Sequence, residues 1–167
     1  MVKGLDTFRR YFADYEEQYV LIGGAACDIL FESNEVNFRA TRDLDMVLIV
    51  EALTPEFGER FWKFIQNGRY RNKTTSVQKP QFYRFDKPED DTYPKMIELF
   101  CRNNFELRKM TGITPIHIDD SVSSLSAILL DDEYYKALLE GKVVRNGLSV
   151  LRPEYLIPVS YTHLRAH

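Results

Sequence analysis

The feature that most constrains the fold is an apolar strand that runs through two glycines into an apolar helix. Tyr19–Ile22 has the composition of a buried strand, Gly23 and Gly24 permit a sharp turn, and Ala25–Phe31 continues as a short helix. A buried strand and the helix that follows it require a sheet with helices packed against it. The chain is therefore predicted to be α/β or α+β, with a mixed β-sheet flanked by helices.

Hydrophobic periodicity predicts the remaining elements. Helices are expected at residues 4–17, from Thr54-Pro55 to about 67, and at about 131–139. Strands are expected at 46–50, 70–75, 82–86, 96–102 and 113–118. An Asn-Gly pair, Asn146-Gly147, predicts a hairpin between 143–144 and 148–150. A further helix begins at Arg152-Pro153-Glu154, so the C-terminal helical part is expected to be truncated.

Composition is typical of a soluble globular protein. The chain has 167 residues, of which 44% are hydrophobic and 28% charged, and its formal charge is −3. This slight acidic excess argues against a general nucleic-acid coat. No apolar run approaches the ~20 residues of a membrane span, and the charged N-terminus argues against secretion. Cys27 and Cys101 stand far apart in apolar contexts, as reduced thiols do, so a cytoplasmic protein is expected.

The last nine residues are excluded from the functional interpretation. Val159–His167 reads VSYTHLRAH and resembles the translated read-through of a sequencing adapter. His163 and His167 stand at i and i+4, a metal-pair spacing on a helix, but a meaningless tail is the favoured interpretation. The predicted domain is residues 1–158, incomplete at its C-terminus, and 159–167 is predicted to be an artefactual tail.

Two aspartates stand at the head of a predicted strand. Residues two apart in a strand point to the same side, so Asp43 and Asp45 are expected to converge while Leu44 faces away. Two close carboxylates repel unless a cation lies between them, and Mg²⁺ prefers such oxygen ligands. The alternative is a solvated pair at a strand start. Glu51, which follows the strand, has no predicted role.

A third acid, Glu98, lies within the apolar strand Met96–Arg102. A carboxylate there is costly unless it is paired, protonated or coordinated to a metal. Alternation places Glu98 on the face of Met96 and Phe100, and Asp43, Asp45 and Glu98 are expected to come together on one face of the sheet beside the Gly23-Gly24 turn. The alternatives to a ligand are an edge strand with Glu98 in water, or an ion pair with Arg39 or Lys95.

Together these residues resemble the polymerase-β-like nucleotidyltransferase superfamily. Its pattern is apolar-Gly-[Gly/Ser], then Asp-apolar-Asp opening a strand, then a third acid between apolar residues. The matching segments are Ile22-Gly23-Gly24, Asp43-Leu44-Asp45-Met46 and Ile97-Glu98-Leu99. The likeness is closer to the AbiEii/AbiGii toxin family of abortive infection, whose Gly-Gly-x-Ala precedes Arg-x-[Ser/Thr]-x-Asp-[Leu/Ile]-Asp. The corresponding segments are Gly23-Gly24-Ala25-Ala26 and Arg39-Ala40-Thr41-Arg42-Asp43-Leu44-Asp45.

The resemblance implies a nucleotidyltransferase fold and transfer of a nucleoside monophosphate from a nucleoside triphosphate to a hydroxyl, with two Mg²⁺ or Mn²⁺ ions. It implies that Asp43, Asp45 and Glu98 are the catalytic residues and the metal ligands. The implied nucleotide-binding residues are Gly23, Gly24, Arg39, Thr41 and Arg42. Salt bridges to the adjacent acids are the alternative for the two arginines. The chain departs from the family at Gly24, where many members have Ser, and in a downstream Lys motif not found before Pro158.

The acceptor and the biological role are less constrained. Residues 69–87 interleave basic and aromatic side chains, which suits an RNA acceptor such as tRNA, although an exposed basic hairpin explains the same spacing. His117 has no second His or Cys nearby and is interpreted as a packed or surface residue. The favoured hypothesis is the toxin of a toxin–antitoxin or phage-defence pair, with a cognate antitoxin as partner. The alternative is a catalytically silent module that binds nucleotide, nucleic acid or protein.

Overall fold

The computed structural model describes residues 4–31, 43–72, 83–102, 113–116 and 125–152. The helices in these stretches are α1 (Leu5–Tyr11), α2 (Gly23–Phe31), α3 (Pro55–Gly68) and α4 (Asp132–Gly141). The strands are β1 (Tyr19–Ile22), β2 (Asp43–Leu48), β3 (Arg71–Asn72), β4 (Arg84–Asp86), β5 (Met96–Arg102), β6 (Ile113–Ile116), β7 (Leu125–Leu130), β8 (Lys142–Arg145) and β9 (Leu148–Leu151). A short 3₁₀ helix, Val50–Ala52, follows β2.

The described strands form one mixed sheet. Its main path runs β3-β4-β5-β2-β1-β9-β8, and β7 pairs with both β5 and β6. At the centre, β2 is antiparallel to β1 and parallel to β5. On the other edge of β5, β4 is antiparallel to its first half and β7 is parallel to its second half. The predicted mixed α/β architecture is confirmed.

One face of the sheet holds an aromatic core beneath α1 and α3. Phe8 and Phe12 of α1 contact Tyr19 of β1, with ring centroids 5.5 and 6.2 Å apart. Phe64 of α3 lies at the centre, and its ring centroid is between 5.0 and 5.9 Å from those of Phe8, Tyr11, Phe12, Tyr70 and Tyr93. Burial of each such ring contributes roughly 1.5–3 kcal/mol, so this face supplies much of the stability.

The sequence signals at the ends of α3 have clear structural counterparts. The Thr54 hydroxyl accepts a hydrogen bond from the Phe57 N–H at 3.3 Å, which satisfies one of the unpaired donors at the helix start. Pro55 occupies the first turn, where its missing N–H costs nothing. After Gly68 the backbone turns left-handed at Arg69, with φ of 55°, and the helix ends. The predicted boundaries of this helix are confirmed within one residue.

The opposite face of the sheet is covered by α2 and α4. α2 packs against β1 and β2, and α4 packs against β5. Leu44 and Met46 of β2 are fully buried on the aromatic side, so Asp43 and Asp45, which alternate with them, point to the α2 and α4 side. The acidic residues therefore lie on the face that carries less of the aromatic core.

Several predicted boundaries are wrong for local reasons. α1 ends at Tyr11 rather than at residue 17, because Phe12 leaves the helical region and Asp14 has a positive φ of 72°. The strand predicted at 46–50 begins at Asp43 and ends at Leu48, since Val50 already belongs to the 3₁₀ helix. β7 has no counterpart among the predicted elements.

The predicted hairpin between β8 and β9 is confirmed. Asn146 and Gly147 have φ of 54° and 76°, the pair of left-handed residues that a type I′ turn requires. Residues 73–75 and 117–118 of two predicted strands, the helix predicted from Pro153 and the tail 159–167 lie outside the described residues. None of the helices in the described stretches has the length and apolar character of a membrane span.

Candidate active site

The register between β2 and β5 places three acids on one face. Asp45 is the direct partner of Glu98, and Asp43 is the partner of Met96. Because these strands are parallel and paired residues point the same way, Asp43, Asp45 and Glu98 share a face. The shared face predicted from alternation is confirmed. Asp43 is exposed, whereas Asp45 and Glu98 are partly buried.

Asp45 is the most perturbed of these acids. Burial, together with the negative charges of Glu98 and Asp43, raises its pKa from 3.8 to about 7, while Arg84 acts in the opposite direction. Desolvation and neighbouring like charges both disfavour the ionised carboxylate. At neutral pH this carboxyl group is therefore poised between its two protonation states, and an added cation favours the ionised one.

The strand–glycine–helix turn lies against Asp45. Ile22, the last residue of β1, is the cross-strand partner of Asp45, and α2 begins at the next residue. Gly23 has a φ of 70°, and a Cβ placed there would lie 3.0 Å from Oδ2 of Asp45. Glycine is thus favoured both by the backbone conformation and by the carboxylate beside it. Gly23 and Gly24 open α2, so the unpaired N–H groups of a helix start lie near the acids.

Glu98 is ion-paired with Arg84. The two residues are direct partners across β4 and β5, and Nη2 of Arg84 donates to Oε2 of Glu98 at 3.1 Å. The side chains are 32% and 14% exposed, so the pair is partly shielded from water. Lys95, one of the alternative partners considered for Glu98, is exposed, and the partner in the structure is Arg84. Arg39, the other predicted partner, lies outside the described residues.

α4 brings two tyrosines to this side of the sheet. Tyr134 is buried, and burial, followed by the charge of Asp45, raises the pKa of its phenol. The Tyr135 hydroxyl donates to Oε2 of Glu51 at 2.7 Å. Glu51 therefore has a structural role, although the sequence gives no indication of one.

Arg84 and Tyr134 are the site residues that the sequence interpretation missed. A sequence signal for Arg84 exists, because the aromatic residues Tyr83 and Phe85 alternate with the charged residues Arg84 and Asp86. That alternation places Arg84 on the face of Glu98 once β4 is paired with β5. The sequence contains no comparable signal for Tyr134, since its proximity to Asp45 depends on how α4 docks.

Where the structure describes the basic and aromatic segment, at residues 69–72 and 83–87, its aromatic rings belong to the core. Tyr70, Tyr83 and Phe85 are buried, and Arg69 pairs with Glu89 at 2.9 Å. Lys73, Lys79 and Phe82 lie outside the described residues, as do Arg39, Thr41, Arg42 and His117. The described part of this segment therefore contributes basic side chains but no exposed aromatic ring.

In the described stretches, no group of three or more His, Cys, Asp or Glu side chains has the arrangement of a metal site. The ion pair between Arg84 and Glu98 is consistent with that finding, since one Glu98 oxygen already contacts a guanidinium. In donor chemistry the three acids still fit a hard divalent cation, because all are carboxylates on one face and they repel one another.

The chain was compared with known proteins. No protein-family model, no curated protein and no solved structure matches it.

Proposed function

We propose that the protein is a Mg²⁺-dependent nucleotidyltransferase that moves a nucleoside monophosphate from a nucleoside triphosphate to a hydroxyl acceptor. The observation that carries the proposal is the crowding of Asp43 and Glu98 around the partly buried Asp45, beside the start of α2. A cation with a polyphosphate relieves such crowding. The resemblance of the Gly-Gly and Asp-Leu-Asp segments to nucleotidyltransferases points to the same chemistry.

The transfer is a single substitution at phosphorus. The acceptor oxygen forms a bond to the α-phosphorus, the bond to the bridging oxygen breaks, pyrophosphate leaves with that electron pair, and the hydroxyl proton passes to solvent. When bound, Mg²⁺ lowers the pKa of the hydroxyl and neutralises charge on the triphosphate. Asp43, Asp45 and Glu98 are the residues proposed to hold it.

The chain's own groups orient the nucleotide in this proposal. The N–H groups at Gly23 and Gly24 lie at the start of α2, where a phosphate is stabilised by unpaired donors. Because Gly24 has no side chain, phosphate contact falls to the backbone rather than to a hydroxyl. Arg39, Thr41 and Arg42 are proposed to complete the phosphate site from the segment that precedes β2.

We further propose an RNA hydroxyl as acceptor and a role as the toxin of a toxin–antitoxin or phage-defence pair, with the antitoxin as partner. Two features support this: the family resemblance, and exposed basic residues, such as Arg71, in the sheet that carries the acids. In the described part of 69–87 the rings of Tyr70, Tyr83 and Phe85 are buried, so phosphate contact is the contribution proposed for that part.

A catalytically silent module of the same fold is the second candidate. The observation in its favour is the ion pair that occupies Glu98. Such a protein would bind a nucleotide through the helix start and Asp43 and Asp45 without assembling a full metal site. The two candidates differ in whether Glu98 contributes to metal-dependent binding.

Calorimetric titration separates the candidates. The protein and its Asp45→Asn, Glu98→Gln and Glu59→Gln variants are titrated with α,β-methylene analogues of nucleoside triphosphates, with and without Mg²⁺. Glu59→Gln is the control, because Glu59 is exposed on α3, on the opposite face of the sheet. We expect binding that requires Mg²⁺, is lost in Asp45→Asn, is weakened in Glu98→Gln and is unchanged in the control. Equal binding by all four proteins, or binding that ignores Mg²⁺, contradicts the proposal, and an effect of Asp45 without Glu98 favours the silent module.

A further inference from the structure

Arg84 is built into the acidic face as a counter-ion of Glu98. It lies directly opposite Glu98 across the β4–β5 ladder, and its Nη2 donates to Oε2 at 3.1 Å. A single ion pair of this kind leaves four of the five guanidinium donors uncommitted to the carboxylate. Glu98 is only 14% exposed, so removal of its partner would leave a poorly solvated charge.

The remaining contacts of Arg84 leave it able to exchange partners. Its guanidinium carbon lies 5.9 Å from the ring centroid of Tyr83, a cation–π contact that uses none of its N–H donors. Its Nε is buried and has no hydrogen-bond partner in the described residues. The side chain as a whole is 32% exposed, so it is partly open to solvent.

Arg84 also acts on Asp45, although no contact joins them. Its positive charge opposes the effect of Glu98 and Asp43 on that carboxyl group. A divalent cation among the acids would compete with the guanidinium for Glu98 and would be repelled by it. A phosphate carried by the same cation would instead be attracted, because the planar fork of arginine matches phosphate oxygens.

We propose that Arg84 is an exchangeable counter-ion: it holds Glu98 in the cation-free protein, releases it to a divalent cation, and then binds a phosphate of the nucleotide that accompanies that cation. This inference rests on the proposed nucleotide-binding function. It makes Arg84 a positioning residue for Glu98 in one state and a ligand-binding residue in the other. In the metal-free protein, the guanidinium thus supplies positive charge beside Asp43, Asp45 and Glu98.

The proposal predicts opposite effects of one substitution on two ligands. In Arg84→Gln, Mn²⁺ alone should bind about tenfold more tightly, since a competing positive charge is gone. The α,β-methylene nucleotide, titrated at saturating Mn²⁺, should bind about tenfold more weakly, since a phosphate partner is gone. Arg84→Lys keeps the charge without the fork and should leave the Mn²⁺ affinity near that of the wild type, with an intermediate loss for the nucleotide.

Arg69→Gln is the matched control. Arg69 pairs with Glu89 at 2.9 Å, but the two side chains are 74% and 66% exposed, and Glu89 is not one of the three acids. The Arg69→Gln substitution should change neither the affinity for Mn²⁺ nor the affinity for the nucleotide. Mn²⁺ binding is measured by electron paramagnetic resonance of the free ion, and nucleotide binding by calorimetry.

A third readout needs no ligand. In EDTA, Arg84→Gln and Glu98→Gln should each lower the urea midpoint of unfolding, and the double variant should lose less than the two together, because each single variant leaves a partner unpaired. Additive losses, Mn²⁺ affinity that falls or stays unchanged in Arg84→Gln, or nucleotide affinity that does not fall in that variant, overturn the proposal. If the wild type binds no nucleotide while the Mn²⁺ and urea results hold, the proposed function and the phosphate-binding step fail, and only the counter-ion role at Glu98 stands.

Discussion

Asp45 of β2 and Glu98 of β5 are direct partners in a parallel ladder, with their side chains on the same face of the sheet. Both residues lie in interior strands of the sheet, because β1 pairs with the other edge of β2 and β4 pairs with the other edge of β5. Two carboxylates in adjacent central strands repel one another and are poorly solvated. This relationship, with Gly23 on one side and Arg84 on the other, explains most of the site's electrostatics.

The first prediction concerns the pH dependence of stability. The pKa of Asp45 rises from 3.8 to about 7, so the folded protein binds a proton that the unfolded chain releases between these values. Stability should therefore fall as pH rises from about 4 to 7, at a cost of up to about 4 kcal/mol above pH 7. In EDTA, Asp45→Asn should raise the free energy of unfolding by about 2–4 kcal/mol at pH 8 and leave it unchanged at pH 3. Urea unfolding of this variant and of Glu59→Gln checks it, and equal curves at pH 8 would be inconsistent with a raised pKa.

The second prediction concerns the contact between Gly23 and Asp45. Gly23→Ala should destabilise the protein by about 1 kcal/mol through its left-handed backbone and should also displace the Asp45 carboxylate. Gly147→Ala is the control, since Gly147 has a similar φ of 76° but its added Cβ would meet only the flexible Arg9 side chain, at 3.3 Å. The midpoint temperature of thermal unfolding should fall in both variants. Nucleotide affinity, measured by calorimetry, should change only in Gly23→Ala. Equal binding by the two variants would refute a role for this contact.

The third prediction concerns whether packing on the aromatic face of the sheet is independent of the acids on the other face. Phe64 packs against five aromatic rings on the side of α1 and α3, away from the acids. Phe64→Leu should lower the free energy of unfolding by about 1–3 kcal/mol through the cavity it leaves. The pKa of Asp45, followed by carboxyl-carbon NMR, should remain at about 7. A large change in that pKa would show that the faces are not independent.

The fourth prediction concerns the link between α4 and the 3₁₀ helix. Tyr135→Phe removes the hydrogen bond to Glu51 and should cost about 0.5–1.5 kcal/mol in urea unfolding. Glu51→Gln should cost less, because an amide oxygen can still accept from the phenol. The two substitutions together should be less than additive. Full additivity would mean that the bond does not contribute.

Much of the fold could be predicted because the sequence signals were local. Thr54-Pro55 and Gly68 mark the ends of α3, and Asn146-Gly147 specifies its hairpin without any tertiary information. The shared face of Asp43, Asp45 and Glu98 follows from strand alternation and from pairing the two apolar strands. The ends of α3 and the hairpin depend on residues a few positions apart, whereas the shared face also requires that β2 pairs with β5.

The features that were missed depend on tertiary contacts. Arg84 meets Glu98 only because β4 pairs with the first half of β5, and β7 takes the second half. Glu51 meets Tyr135, which is 84 positions away, only after α4 docks on the sheet. Sequence spacing does not determine such docking, so it left several alternatives for Glu98, none of them Arg84, and gave no partner for Glu51.

The central claim is that Asp43 and Asp45 hold a divalent cation together with a nucleotide, and crystallography with Mn²⁺ tests it most directly. Crystals of the protein are soaked in Mn²⁺ with an α,β-methylene nucleoside triphosphate, and anomalous difference density is measured at the manganese edge. The account predicts density between the two aspartate carboxylates and a phosphate near the start of α2, with Glu98 turned from Arg84 toward the ion, and no such density in Asp45→Asn. Well-ordered aspartates with no anomalous density beside them at saturating Mn²⁺, or density elsewhere with the nucleotide, would contradict it.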